Sequence, residues 1–111
     1  MATTYIVKQI RPSATTVTNL YTVTSGASAI VSSIVVTNTS STPTTFRISV
    51  APAGAADTTS HYLYYDVPIN GNDVFIATIG FALNGVTTQD KVNVYATAAT
   101  LNFTLFTAET T

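Results

Sequence analysis

The chain lacks cysteine and tryptophan, and it is short of charge: four basic and five acidic residues in 111, or 8%. An average soluble domain is ~25% charged. Without cysteine no disulfide supports the fold, and at this length a hydrophobic core alone suffices. A net charge of −1 and a pI near 5.5 supply no basic field, which excludes nucleic acid as a partner. Mean hydropathy is +0.34, yet the longest unbroken apolar runs, Tyr62–Tyr65 and Val74–Ala77, fall far short of the ~20 residues a membrane helix needs. The N-terminus carries no secretory pattern, so synthesis in the cytoplasm without export is expected.

Hydroxyl residues stand where the charges are missing: 23 Thr and 9 Ser. Disordered chains are charged and poor in aromatics and β-branched residues, and this chain is neither. Thr, Val and Ile are stiff at χ1 and suit a pleated strand. Phe46, Ile48 and Val50 alternate with polar neighbours, as do Val92, Val94 and Ala96, and Leu101, Phe103 and Leu105. Ala29 to Asn38 is denser in apolar residues and reads as a central strand covered on both faces. Tyr5–Ile10, Val17–Thr24, His61–Val67 and Val74–Ile79 complete about eight strands.

Turn residues punctuate them at Ser25-Gly26, Thr39 to Pro43, Asn70 to Asp73 and Asn84-Gly85, with a longer loop over Pro52 to Ser60. The pattern predicts an all-β chain: one small β-sandwich of jelly-roll or immunoglobulin-like topology over residues 15–111. Residues 1–14 read as an edge strand or an extended arm, with Tyr5, Ile6 and Val7 as its apolar contact.

Little here is equipped for catalysis. His61 is the sole histidine, at the start of a Tyr-rich strand, and there is no Gly-x-Ser-x-Gly elbow. The carboxylates Asp57, Asp66, Asp73, Asp90 and Glu109 match no Ca²⁺-loop spacing. Asp73 and Asp90 read as turn residues that satisfy local amides. No enzyme activity, cofactor or metal is expected. Asn38-Thr39-Ser40 and Asn102-Phe103-Thr104 match a glycosylation pattern that arises by chance in so Thr-rich a chain.

The most pointed feature is Tyr62-Leu63-Tyr64-Tyr65. Plain alternation puts Leu63 and Tyr65 on the core and Tyr62 and Tyr64 outside, with Asp66 beyond them. Tyr62, Tyr64, Asp66 and Arg47 therefore join Tyr5, Ile6 and Val7 as candidate interface residues. Outward tyrosines suit a protein or sugar contact, and cross-strand packing on Tyr95 is the structural alternative. A folded monomer of this mass exposes roughly 5,900 Å². Nine charges are sparse on such a surface, and hydroxyls and alanines are cheaper to desolvate than lysines and glutamates.

Several segments carry a family likeness in order: Leu20-Tyr21-Thr22-Val23, Ile34 to Asn38, Thr45 to Gly54 (TFRISVAPAG), His61 to Asp66 (HYLYYD), Asn72-Asp73, and Asp90 to Tyr95 (DKVNVY). From about Thr15 to Ala108 the chain resembles small virion proteins of tailed bacteriophages, cyanophages among them. The resemblance implies a structural protein of the virion, assembled in the host cytoplasm. Its first implied role is a capsid decoration or cement protein, often trimeric, that bridges major capsid subunits. The second is a tail, baseplate or fibre component, in which Tyr62 and Tyr64 could serve a receptor or carbohydrate. It brings no catalytic residues.

Overall fold

The alternation in the sequence becomes alternation in burial. The computed structural model describes residues 2–54, 61–78 and 80–111. Among them are nine strands: β1 (Thr3–Ile10), β2 (Thr18–Thr22), β3 (Ser28–Asn38), β4 (Thr44–Ala51), β5 (Tyr62–Ile69), β6 (Val74–Ala77), β7 (Phe81–Asn84), β8 (Lys91–Ala96) and β9 (Leu101–Thr110). A 3₁₀ turn, Pro52–Gly54, follows β4. The rest of the expected Pro52–Ser60 loop, with Asp57, lies outside the described residues, as does Ile79 at the end of an expected strand.

All pairings are antiparallel. One sheet runs β1-β9-β3-β6, with β7 also on β3, and the other runs β2-β8-β4-β5. The pairs are nested along the chain: β4 with β5, β3 with β6, β2 with β8, β1 with β9. Such winding of a folded-over ribbon into two sheets is a jelly roll, which decides between the two topologies expected from sequence. The accessible surface is 5633 Å², close to the value expected from mass.

The ninth strand is β7, Phe81–Asn84, which lies beyond the expected Val74–Ile79 strand in a stretch where none was expected. β6 pairs with Ile34–Thr37, and β7 pairs with Ser28–Val31 farther along the same strand. β3 itself has a bulge between Val31 and Ser33, so one continuous edge strand could not follow it. A second expectation fails on β3. It is central, but only one of its faces is covered: Ala29, Val31, Ile34 and Val36 are buried, while Ile30 is 57% exposed.

The core lies between the sheets. Phe103, Leu101 and Leu105 of β9 and Ile34 and Val36 of β3 meet Phe46, Ile48, Val92 and Val94 from the other sheet. Phe46 sits at the junction, its ring 5.1 Å from Phe75 and 6.1 Å from Phe103.

Four polar residues are buried among the described residues, and two of them, Asn38 and Glu109, join separate parts of the chain. Asn38 is buried at one end. Its amide donates to Thr42 O (2.9 Å) and Asn70 O (3.2 Å), and its carbonyl oxygen accepts from Ser40 N and Thr100 Oγ1. Asn38 thus ties three loops together, and burial removes it as a glycosylation acceptor. Toward the other end, Glu109 points inward from β9. It accepts from the Tyr21 hydroxyl and from Thr24 N (3.0 Å).

Burial opposes the Glu109 charge, but the bonds from Tyr21 and Thr24, with help from Lys8, outweigh it and hold the carboxyl below its usual range. A depressed folded-state value means the ionised form stabilises the fold above the unfolded pKa. That contribution fades as pH falls through the folded value. Hydrogen bonds to a charged group are worth about 1.5–3 kcal/mol each, so Glu109→Gln should cost about 2 kcal/mol at pH 7. Thermal unfolding of both proteins should show the gap closing as pH falls through the lowered folded-state value, below which the carboxyl is protonated in either state. A gap unchanged with pH would show that Glu109 acts only by shape.

Candidate functional site

The two outer faces of the sandwich differ in chemistry. On the β2-β8-β4-β5 sheet, Arg47 of β4 lies opposite Tyr95 of β8. Its guanidinium sits 4.3 Å from the ring centroids of both Tyr65 and Tyr95, and 5.8 Å from that of Tyr62. Arg47 Nε donates to Asp66 Oδ1 at 2.6 Å, and Nη2 reaches Oδ2 at 3.4 Å. The Tyr62 and Tyr65 rings meet edge to face at 5.0 Å. A charged fork is thus pinned between aromatic rings by one carboxylate, and it is partly exposed. Stacked and bonded, the Arg47 side chain is already ordered, which lowers the entropy cost of contacting a partner.

Sequence reasoning found part of this cluster. Arg47, Asp66 and Tyr62, each an interface candidate from sequence, come together here, but Tyr64 does not join them. It faces the core opposite Ile48, with its ring edge-on to Phe75 at 5.3 Å. Leu63 and Tyr65, expected inside, are 43% and 50% exposed. The cause is two breaks in register. Beyond Ile48, which pairs with Tyr64, Ser49 pairs with Tyr62, so two steps on β5 oppose one on β4 and Tyr62 stays on the outer face. A second bulge lies on the other side. Phe46 pairs with Val67 and Ile48 with Tyr64, so three steps on β5 oppose two on β4. The extra residue includes Asp66, whose φ is +50°. An inserted residue reverses which face each neighbour takes, so Tyr65 replaces Tyr64 on the outer face. Tyr95, the structural alternative for cross-strand packing, packs on the same cluster through Arg47.

The other outer face is apolar. Tyr5 and Val7 project outward from β1 and are 86% and 57% exposed. β1 is the edge strand of this sheet, paired with β9 along its whole length, so Thr3–Ile10 is not an extended arm. Ile6 turns the other way and is half-buried. Tyr5, Val7, Ile30, Phe106 and Ala108 line a groove of about 320 Å³. Ile76 and Val74 of β6 extend the apolar surface across the sheet. The outward residues of β1, β9, β3, β6 and β7 include no charged side chain. Charge begins at one corner, where Arg11 donates to Asn102 Oδ1 (2.8 Å) and Thr39 Oγ1 (3.2 Å) beside a polar hollow of about 510 Å³.

Ile30, Ile76 and Phe106 were not among the residues expected at an interface. Ile30 sits in the stretch whose density of apolar residues predicts cover on both faces. Phe106 did carry a signal, since it is an apolar residue at a polar position of the β9 alternation.

The remaining candidates are structural. Asp90 accepts from Ala53 N (2.7 Å) and Asn84 N (2.9 Å), and Asp73 accepts from Val74 N (2.8 Å), as expected of turn residues. His61 Nδ1 is buried and has no hydrogen-bond partner among the described residues. No cluster of three or more metal-ligating side chains occurs among those residues. No protein-family model matches the chain, and no curated protein matches it.

Proposed function

We propose that this chain is a structural subunit of a tailed-phage virion, in the first instance a capsid decoration protein that bridges and stabilises major capsid subunits. The observation that carries the reading is the pair of contrasting outer faces on one sandwich. One is apolar and free of charge, and the other bears an ordered Arg47 between tyrosines. Exposed apolar surface of this extent marks contact with other proteins, and arginine and tyrosine are the residues that anchor interfaces. A subunit with two such faces can hold two neighbours at once. Its contacts must then break before the shell opens, which is how a small protein would strengthen a larger assembly. The jelly roll also occurs in viral capsid proteins, an analogy of fold alone.

The carbohydrate-binding reading is weaker. Tyr64 is turned into the core, and Arg47 already covers one face of both Tyr65 and Tyr95.

The test is gold labelling of this protein on intact virions, paired with heat release of DNA from particles with and without it. Label on the head and release at lower temperature without the protein are the expected results. Arg47→Ala or Tyr65→Ala should reduce its occupancy on particles. Label on the tail would move the protein to a tail role, and equal heat stability would sink the cement role.

A further inference from the structure

The edges of the two sheets are not equally protected. An edge strand offers unpaired amides and carbonyls to any passing strand, and proteins blunt such edges with short strands, bulges, prolines and charges. β6 and β7 are four residues each. β2 has five residues and a bulge between Asn19 and Tyr21. β5 carries Pro68 and two breaks in register. β1 has eight residues, no proline, a single charge in Lys8, and an unbroken register from Thr3↔Thr110 to Ile10↔Phe103.

The direction of its free groups follows from one end. Ala2 and Thr111 exchange both backbone bonds, N to O at 3.3 and 3.0 Å. Antiparallel pairs alternate between bonded and non-bonded. Thr4, Ile6, Lys8 and Ile10 therefore bond to β9, while Thr3, Tyr5, Val7 and Gln9 turn their amides and carbonyls outward, away from the sheet. Those same four carry the side chains of the charge-free outer face.

We infer that β1 is where two copies of this chain join, by antiparallel pairing of β1 with the partner's β1 about a twofold axis at Ile6. Residues opposite one another must share a face and must both have outward amides. An axis at Ile6 meets both conditions and places Tyr5 opposite the partner's Val7, and Thr3 opposite the partner's Gln9. It makes four bonded pairs, or about eight hydrogen bonds. An axis at Tyr5 or Val7 makes only three. Lys8 lies opposite the partner's Thr4, so no like charges meet. The strip is about 27 Å long at 3.4 Å per residue, on a sandwich 20 Å through its shortest dimension. That is about 500 Å² from each copy, which reaches the ~1,000 Å² total of a specific interface. Tyr5 and Val7 gain cover, and the two apolar faces become one.

This pairing goes beyond the virion reading and stands or falls apart from it. A self-paired strand is isologous, so it gives a dimer in place of the trimer implied by the resemblance.

Light scattering on the purified chain should give about twice the 11.7 kDa monomer mass. Val7→Pro removes an amide that points away from β9, so it should yield a folded monomer, with the mass halved and the far-ultraviolet spectrum unchanged. If Val7→Pro fails to fold, Val7→Lys tests the same edge by charge. Ile6→Cys reads the register directly, because the chain has no other cysteine. Across a non-bonded pair the two Cα atoms lie ~4.5 Å apart, within disulfide reach, so mild oxidation should crosslink the dimer. Tyr5→Cys should not crosslink, since its symmetry mate lies about 8 Å away, two residues along the strand. A monomer or trimer for the unmodified chain, a dimer that survives both Val7 substitutions, or crosslinking through Tyr5→Cys in place of Ile6→Cys would overturn the inference. None of these results bears on where the protein sits in a virion.

Discussion

Phe46→Ala should lower the stability of the chain by about 4 kcal/mol, the middle of the range for removing a buried phenyl ring. Phe46 is fully buried and touches Phe75 and Phe103, both on the opposite sheet. Its ring is therefore the contact through which the two layers read each other, and its loss leaves a cavity that neither sheet can close alone. For a domain near this size each kcal/mol moves the melting temperature by about 4–8 °C, so a fall of about 20 °C is expected by calorimetry. Phe46→Leu, which keeps most of the volume, should recover more than half of it. A fall below about 5 °C for the alanine variant would mean the sheets are held elsewhere.

Gly71→Ala should be nearly as damaging, at about 3 kcal/mol, because overpacking against rigid backbone has no cheap relief. A Cβ on Gly71 would stand 2.1 Å from the Ser41 carbonyl oxygen. Both loops there are held by the Asn38 amide, which donates to Thr42 O and Asn70 O. Neither loop can retreat without breaking a buried bond. Gly26 is the useful contrast. Its φ is +88°, but a Cβ there meets nothing within 4 Å, so Gly26→Ala should carry only the conformational penalty of about 1 kcal/mol. Urea unfolding of the two variants should separate them clearly. Equal losses would show that contact with Ser41 is not what requires glycine at 71.

The fold was legible where one face of a strand is buried and the other is not. Val92, Val94 and Ala96, and Leu101, Phe103 and Leu105, alternate cleanly, and all six are buried. Legibility failed where the chain inserts a residue. Nothing in Tyr62-Leu63-Tyr64-Tyr65 announces a bulge, because the extra residue is defined only against β4, far away in sequence. The same holds for β3, whose outward Ile30 looks like a core residue until the open face beside it is known. Asn38 was hidden differently. It occupies the last residue of a strand, where its value lies in four bonds, two to the adjacent turn at Ser40 and Thr42 and two to Asn70 and Thr100 far along the chain. Of the two surfaces, Arg47, Asp66 and Tyr62 and the Tyr5–Val7 stretch could be nominated from residue type. Tyr95 could be named as a cross-strand neighbour and Phe106 broke the β9 alternation, but Tyr65 and Ile30 required the register.

The nested pairing of strands also sets an order of events during synthesis. β4 and β5 are close in sequence and can meet early, but β1 has no partner until β9 exists, about a hundred residues later. Contacts this distant along the chain form slowly. Through that interval β1, with Tyr5 and Val7, is an unattached strand with both edges open, and on a crowded ribosome the nearest complement is the same strand on a neighbouring chain. Lys8 is the one charge within it, so little repulsion keeps such strands apart while they wait.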